Sequence, residues 1–120
     1  MGFGFARLTV LAGLVLGLGL SGPAMAECAA DQLELRNPSG AVQRLSVELA
    51  DDPDERAQGL MFRETQPMAS GMLFVFPEPK HATFWMKNTP LSLDIIFADV
   101  RGTVTHVHER AEPQSTALID

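Results

Sequence analysis

The segment Gly71-Met72-Leu73-Phe74-Val75-Phe76 constrains the fold more than any other part of this chain. It is apolar throughout and stops at Pro77. It is too short for a helix of useful length, and an unbroken apolar run asks for cover on both faces, as in a buried strand. The neighbouring segments have strand character too. Leu33-Glu34-Leu35 and Val42 to Leu49 flank Asn37-Pro38-Ser39-Gly40, a turn in which Asn starts, Pro fixes φ and Gly permits φ > 0. In the second of these, Leu45, Val47 and Leu49 alternate with Ser46 and Glu48, so the pair reads as a hairpin. His81 to Met86, Leu91 to Ala98 and Thr103 to Glu109 complete a set of six strand-like segments. In Leu91 to Ala98 one face carries Leu91, Leu93, Ile95 and Phe97, and the other Ser92, Asp94, Ile96 and Ala98. Asp99-Val100-Arg101-Gly102 is a turn.

One helix is expected. Asp52 stands at the N-cap, Pro53 at the first helical position and Glu55 in a capping-box arrangement, and Gly59 stops the helix after about two turns. The expected class is therefore mainly β: an antiparallel β-sandwich or jelly-roll-like small barrel with one short helix. It forms a single domain over residues 27–120.

Residues 1–26 read as a signal peptide. Arg7 precedes the apolar run Leu8 to Leu20, and Ala24-Met25-Ala26 supplies the small-x-small cleavage pattern. Cleavage after Ala26 would deliver a periplasmic or secreted protein with no stable membrane anchor. Glu27 stands where a lipid-modified leader needs a small residue before Cys28. Cys28 is the single cysteine, which excludes an internal disulfide. The net charge of −6 argues against nucleic acid and against an anionic membrane surface.

Candidate chemistry concentrates in Phe84 to Asp94, which holds the single Trp. On a strand, Trp85 and Lys87 share a face, and Asp94 returns on the next strand across the Lys87–Pro90 turn. Read as a site, Trp85 is a flat apolar wall. Lys87, Asn88, Asp94, Arg56 and Arg63 surround it to bind a small anionic or polyhydroxyl ligand. Read as structure, Trp85 is core, Lys87 pairs with Asp94, and Asn88 caps the turn. Met61, Met68, Met72 and Met86 are ordinary core filler rather than soft-metal ligands. His106 and His108 supply two imidazoles, too few for a metal centre. No metal or cofactor is expected.

Taken in order, Arg56-x-x-Gly59-Leu60-Met61-Phe62-Arg63, Gly71 to Phe76, Phe84-Trp85-Met86-Lys87-Asn88-Thr89 and Leu93-Asp94-Ile95-Ile96-Phe97 resemble the domain of unknown function 192 family. The resemblance implies a compact β-sandwich of jelly-roll type, often exported, with no established activity. Family members continue past the Pro113 region into further strands. A stop at Asp120 therefore implies a sheet incomplete at its C-terminal end. The leading expectation is a binding module for a small anionic or carbohydrate-like ligand. The alternative is a structural domain that meets a protein partner or a second copy through open strand edges. An enzyme acting on a sugar or envelope polymer comes third.

Overall fold

The structure, a computed structural model, describes residues 29–120. The expected leader and Cys28 lie outside the described residues. Five strands and one helix follow in the order β1 (Gln32–Arg36), β2 (Val42–Ala50), α1 (Pro53–Gln58), β3 (Ser70–Phe74), β4 (Leu93–Ala98) and β5 (Val104–Ala111). They form a three-stranded sheet, β1-β2-β3, and a two-stranded sheet, β4-β5. The fold is mainly β, with two sheets and one short helix. Among the described residues no closed barrel forms.

The hairpin forms as its sequence dictates. β1 and β2 are antiparallel, with Leu33 opposite Leu45 and Leu35 opposite Gln43. Asn37 Oδ1 accepts from Ser39 Oγ at 2.7 Å and from the Ala41 amide at 2.9 Å. Gly40 takes φ 89°. Burial alternates as far as Val47. It then slips, leaving Leu49 exposed and Ala50 fully buried where β2 ends.

β2 and β3 run parallel, a departure from the expected antiparallel arrangement. The reason is the connection. It carries α1 and a long loop, enough chain to cross over and re-enter in the same direction. Asp52 Oδ1 accepts from the Glu55 amide at 2.8 Å. Glu55 Oε2 reaches back to the Asp51 amide at 3.2 Å, one residue before the expected N-cap partner. Gly59 ends the helix at φ 51°, ψ −131°, and its amide donates to the Glu55 carbonyl. All five residues of β3 are only half-buried, and Val75 beyond it is exposed, so the apolar run is less covered than its composition suggests.

His81 to Met86 is not a strand. Phe84 and Ile119 exchange both backbone hydrogen bonds at 2.8 Å in an isolated bridge. The Met86 amide then donates to the Ser115 carbonyl at 2.9 Å. Between these two contacts the returning C-terminal segment bends at Ala117, whose amide donates to Ser115 Oγ at 3.2 Å, and among the described residues no further bridge forms there. His81 Nε2 lies 3.0 Å from Asp120 Oδ2 on the exposed side of this bridge.

β4 shows the expected alternation, with Leu93, Ile95 and Phe97 turned inward. They pack on the buried cluster of Met86, Ala111 and Ile119. β5 is longer than expected and carries a bulge. Leu93 pairs with Ala111 and Ile95 with His108. Arg110, in the extra position, sits at φ 49°, and Asp94 Oδ1 accepts its amide at 2.8 Å. This is how a bulge satisfies the backbone group it strands.

The two sheets are joined by rings. Phe74 of β3 meets Phe84 edge-on, with centroids 5.0 Å apart, and Phe84 meets Phe97 of β4 at 5.8 Å. Edge-to-face pairs of this kind add about 0.5–1.5 kcal/mol each beyond their area burial. Phe84→Ala should therefore destabilise the domain by roughly 2–4 kcal/mol in urea unfolding. A loss below about 0.5 kcal/mol would show that the sheets hold together without this ring.

Candidate functional site

The six candidate residues do not form one cluster. Trp85 is 44% exposed rather than core. Lys87 Nζ lies 5.0 Å from its ring centroid, a cation–π contact on the surface. Among the described residues Lys87 makes no ion pair with Asp94, which is occupied at the β5 bulge. Arg56 is a framework residue. Its guanidinium donates to the Asp51 carbonyl and, at 2.8 Å, to the Val75 carbonyl, and lies over the Phe76 ring. These contacts pin α1 to the end of β3.

Arg63 lies elsewhere. It grips Glu48 of β2 with two parallel bonds, Nη1 to Oε1 at 2.5 Å and Nη2 to Oε2 at 2.8 Å. The pair stands in the wall of an open cleft of about 370 Å³, with Asp31, Ser46, Thr65 and Gln66 around it. The hydrogen bonds from Arg63 hold the Glu48 carboxyl below its ordinary range, and raise Arg63 in turn.

Asn88 alone of the six lines a second cleft, also about 370 Å³, with Phe62, Glu64, Pro90 and Gln114. Three turns build it. Each is closed by a hydrogen bond from its fourth amide to its first carbonyl: Arg63 to Leu60 at 3.4 Å, Thr89 to Met86 at 3.1 Å, and Ser115 to Glu112 at 3.3 Å. The third residue of each has positive φ: Phe62 at 66°, Asn88 at 55° and Gln114 at 64°. Gly or Asn is the residue such a position favours, and only Asn88 conforms. For Phe and Gln the left-handed conformation costs about 1–2 kcal/mol.

Bonds between the turns hold that conformation in place. The Phe62 amide donates to the Asn88 carbonyl at 2.7 Å, and the Gln114 amide to the Thr89 carbonyl at 3.0 Å. Thr89 is buried beneath them, its hydroxyl donating to the Lys87 carbonyl at 3.1 Å. Phe62 is 72% exposed. Phe62 and Glu64 line this cleft while Arg63 between them lines the other, so the segment 62–64 is a partition.

Sequence reasoning missed Phe62, Glu64 and Gln114. Pro113 at the second position of its turn was a usable signal for Gln114, because Pro there is common before a left-handed third residue. Nothing in the sequence marks Phe62. The two histidines of β5 differ from each other in exposure. His106 is exposed, but its ring lies 5.9 Å from that of Phe97, and His108 is half-buried opposite Ile95.

Residues 35–119 match the family model DUF192, described as Uncharacterized ACR. The chain belongs to the DUF192 family. The DUF192 match takes in every residue of the Asn88 cleft and all of the Arg63 cleft except Asp31. No curated protein matches the chain. Two crystal structures resemble this DUF192 domain. One, from Sinorhizobium meliloti 1021, is described as a candidate transcription regulator. It is 45% identical with a TM-score of 0.72, over 73% of this chain and 68% of that one. The other, a protein of unknown function from Novosphingobium aromaticivorans DSM 12444, is 36% identical with a TM-score of 0.68, over 72% of this chain and 61% of that one.

The Arg63–Glu48 pair sets a pH dependence. Because the folded Glu48 carboxyl is depressed, its contribution to stability is complete above the unfolded carboxyl pKa of about 4.3 and is lost as pH falls through the folded value. The pair is partly exposed, so the contribution is about 1 kcal/mol or less. Thermal unfolding of Glu48→Gln between about pH 3 and pH 7 should show a shallower loss of stability on the acid side than the parent. Parallel acid limbs would show that the pair carries none of it.

Proposed function

We propose that this DUF192 chain is a binding module for a small polyhydroxyl ligand, held in the cleft of Phe62, Glu64, Asn88, Pro90 and Gln114. One observation carries the reading. Three turns converge on one cleft, and at two of them the chain keeps a large side chain where glycine would relieve the backbone. Strain of this kind persists only where its surroundings hold it, and it gathers at functional sites.

The side chains suit a polyhydroxyl ligand. An exposed aromatic face covers the apolar side of a saccharide ring, and two amides and a carboxylate meet its hydroxyls. The anionic arm of the expectation loses support here, because the one ionisable residue lining this cleft is Glu64. We further infer a sandwich of jelly-roll type, supported by the Phe74–Phe84–Phe97 contacts between the sheets, and export to the periplasm or beyond, supported by the leader sequence alone.

A second reading rests on a different surface. Ile96 and Val107 stand opposite one another on the outer face of β4-β5 and are 40% and 43% exposed. Exposed apolar sheet residues favour a protein partner or a second copy. The transcription role named for the Sinorhizobium protein is not adopted, because a net charge of −6 opposes direct contact with nucleic acid. An envelope-polymer enzyme gains no support from Asp94, whose carboxylate serves the β5 bulge.

Gln114→Gly separates a binding role from a packing role. Glycine suits the left-handed position, so the variant should be as stable as the parent or up to about 1 kcal/mol more stable. It should also lose saccharide binding several-fold in an NMR titration against millimolar hexoses. Phe62→Ala should weaken binding as well. Saccharides that shift no resonance of the cleft residues in the parent would sink the proposal.

A further inference from the structure

The charge arrangement around the Asn88 cleft narrows its ligand, given that the cleft binds a polyhydroxyl molecule as proposed above. Glu64 is the single ionisable residue in the lining. Three of the cations near it in sequence make contacts elsewhere. Lys87 lies over the Trp85 ring, Arg63 faces the opposite cleft in its two-bond grip on Glu48, and Arg56 holds backbone carbonyls beside Phe76. No contact among the described residues uses the Glu64 carboxylate, and none uses the side-chain amides of Asn88 or Gln114. The Phe62 ring beside Glu64 is 72% exposed.

An exposed carboxylate and an open aromatic face have one preference in common. The carboxylate accepts a charge-assisted hydrogen bond from an ammonium group. The ring attracts the same group through its negative face. The two amides then remain for hydroxyls, each offering both a donor and an acceptor. A carboxylate or phosphate on the ligand would instead meet Glu64 with no cation in the lining to offset it. The overall charge of −6 adds a long-range attraction of the same sign for a cationic ligand.

We infer that the Phe62–Glu64–Asn88–Gln114 cleft takes a cationic polyhydroxyl ligand, an amino sugar with a free ammonium group, in preference to neutral or acidic sugars. Glu64 is the residue that sets the preference.

The test is a titration of the full chain, followed by NMR, with three probes: glucose, N-acetylglucosamine and glucosamine. At low ionic strength glucosamine should bind about three- to ten-fold more tightly than glucose, as an exposed charge-assisted contact allows. N-acetylglucosamine should behave like glucose. The advantage of glucosamine should shrink at about 0.5 M salt, where charges on the surface are screened. Glu64→Gln should remove the advantage, so that glucosamine and glucose bind the variant equally, whatever its affinity for glucose. Equal binding of glucose and glucosamine to the parent would overturn the inference and leave the saccharide site standing. An advantage that survives in Glu64→Gln would overturn the role given to Glu64. Failure of all three sugars to bind would overturn the inference together with the proposed site.

Discussion

Three phenylalanine rings hold together two sheets that share no strand. Phe74 ends the first sheet, Phe97 lies within the second, and Phe84 sits between them with an edge or a face toward each. Without a hydrogen-bonded ladder from one sheet to the other, their relative position depends on side-chain packing. Phe84 is in turn placed by its two backbone bonds to Ile119, and Ile119 completes the cluster with Met86 and Ala111. The bridge, the cluster and the rings therefore stand or fall together. Everything the turn at 86–89 presents to solvent is presented from this support.

The cleft built on that turn illustrates how strain is distributed. Neither Phe62 nor Gln114 would choose a left-handed backbone, yet each has its amide bound to a carbonyl of the 86–89 turn. The buried Thr89 fixes that turn from below. The cost of two unfavourable conformations is set against hydrogen bonds and burial that belong to the fold as a whole. The two clefts share segment 62–64 as a wall while differing in chemistry. One is lined by a satisfied ion pair, the other by polar groups that no described residue engages.

Local features were legible in the sequence because local rules govern them. The Asn37–Gly40 turn, the Asp52 cap, the Gly59 stop and the β4 alternation each follow from a few neighbouring residues, and each is present. Failures came where a partner decides the outcome. His81 to Met86 has the right alternation for a strand, but alternation does not supply a neighbour, and among the described residues it finds only the Ile119 bridge and one further bond to Ser115. The parallel sense of β3 was set by the crossover before it, not by its own apolar residues. In the site, Asn88 was legible as the polar residue of the Lys87–Pro90 turn, and Asn is a type that left-handed turns favour. Phe62 and Gln114 were not, because those residue types carry no such mark. Pairing Lys87 with Asp94 assumed that strand neighbours meet; the bulge gave Asp94 a backbone partner first.

The Phe84–Ile119 bridge also has a consequence in time. The first sheet is complete once Phe74 is in place. The second half closes only when the chain has run through β4 and β5 to Ile119, a long loop whose closure entropy must be met before the Met86 cluster forms. A chain made from its N-terminus therefore holds a finished sheet with Phe74 uncovered until Ile119 has emerged. That interval, rather than any state of the finished domain, is when an apolar sheet face is most open to a chaperone or to another chain.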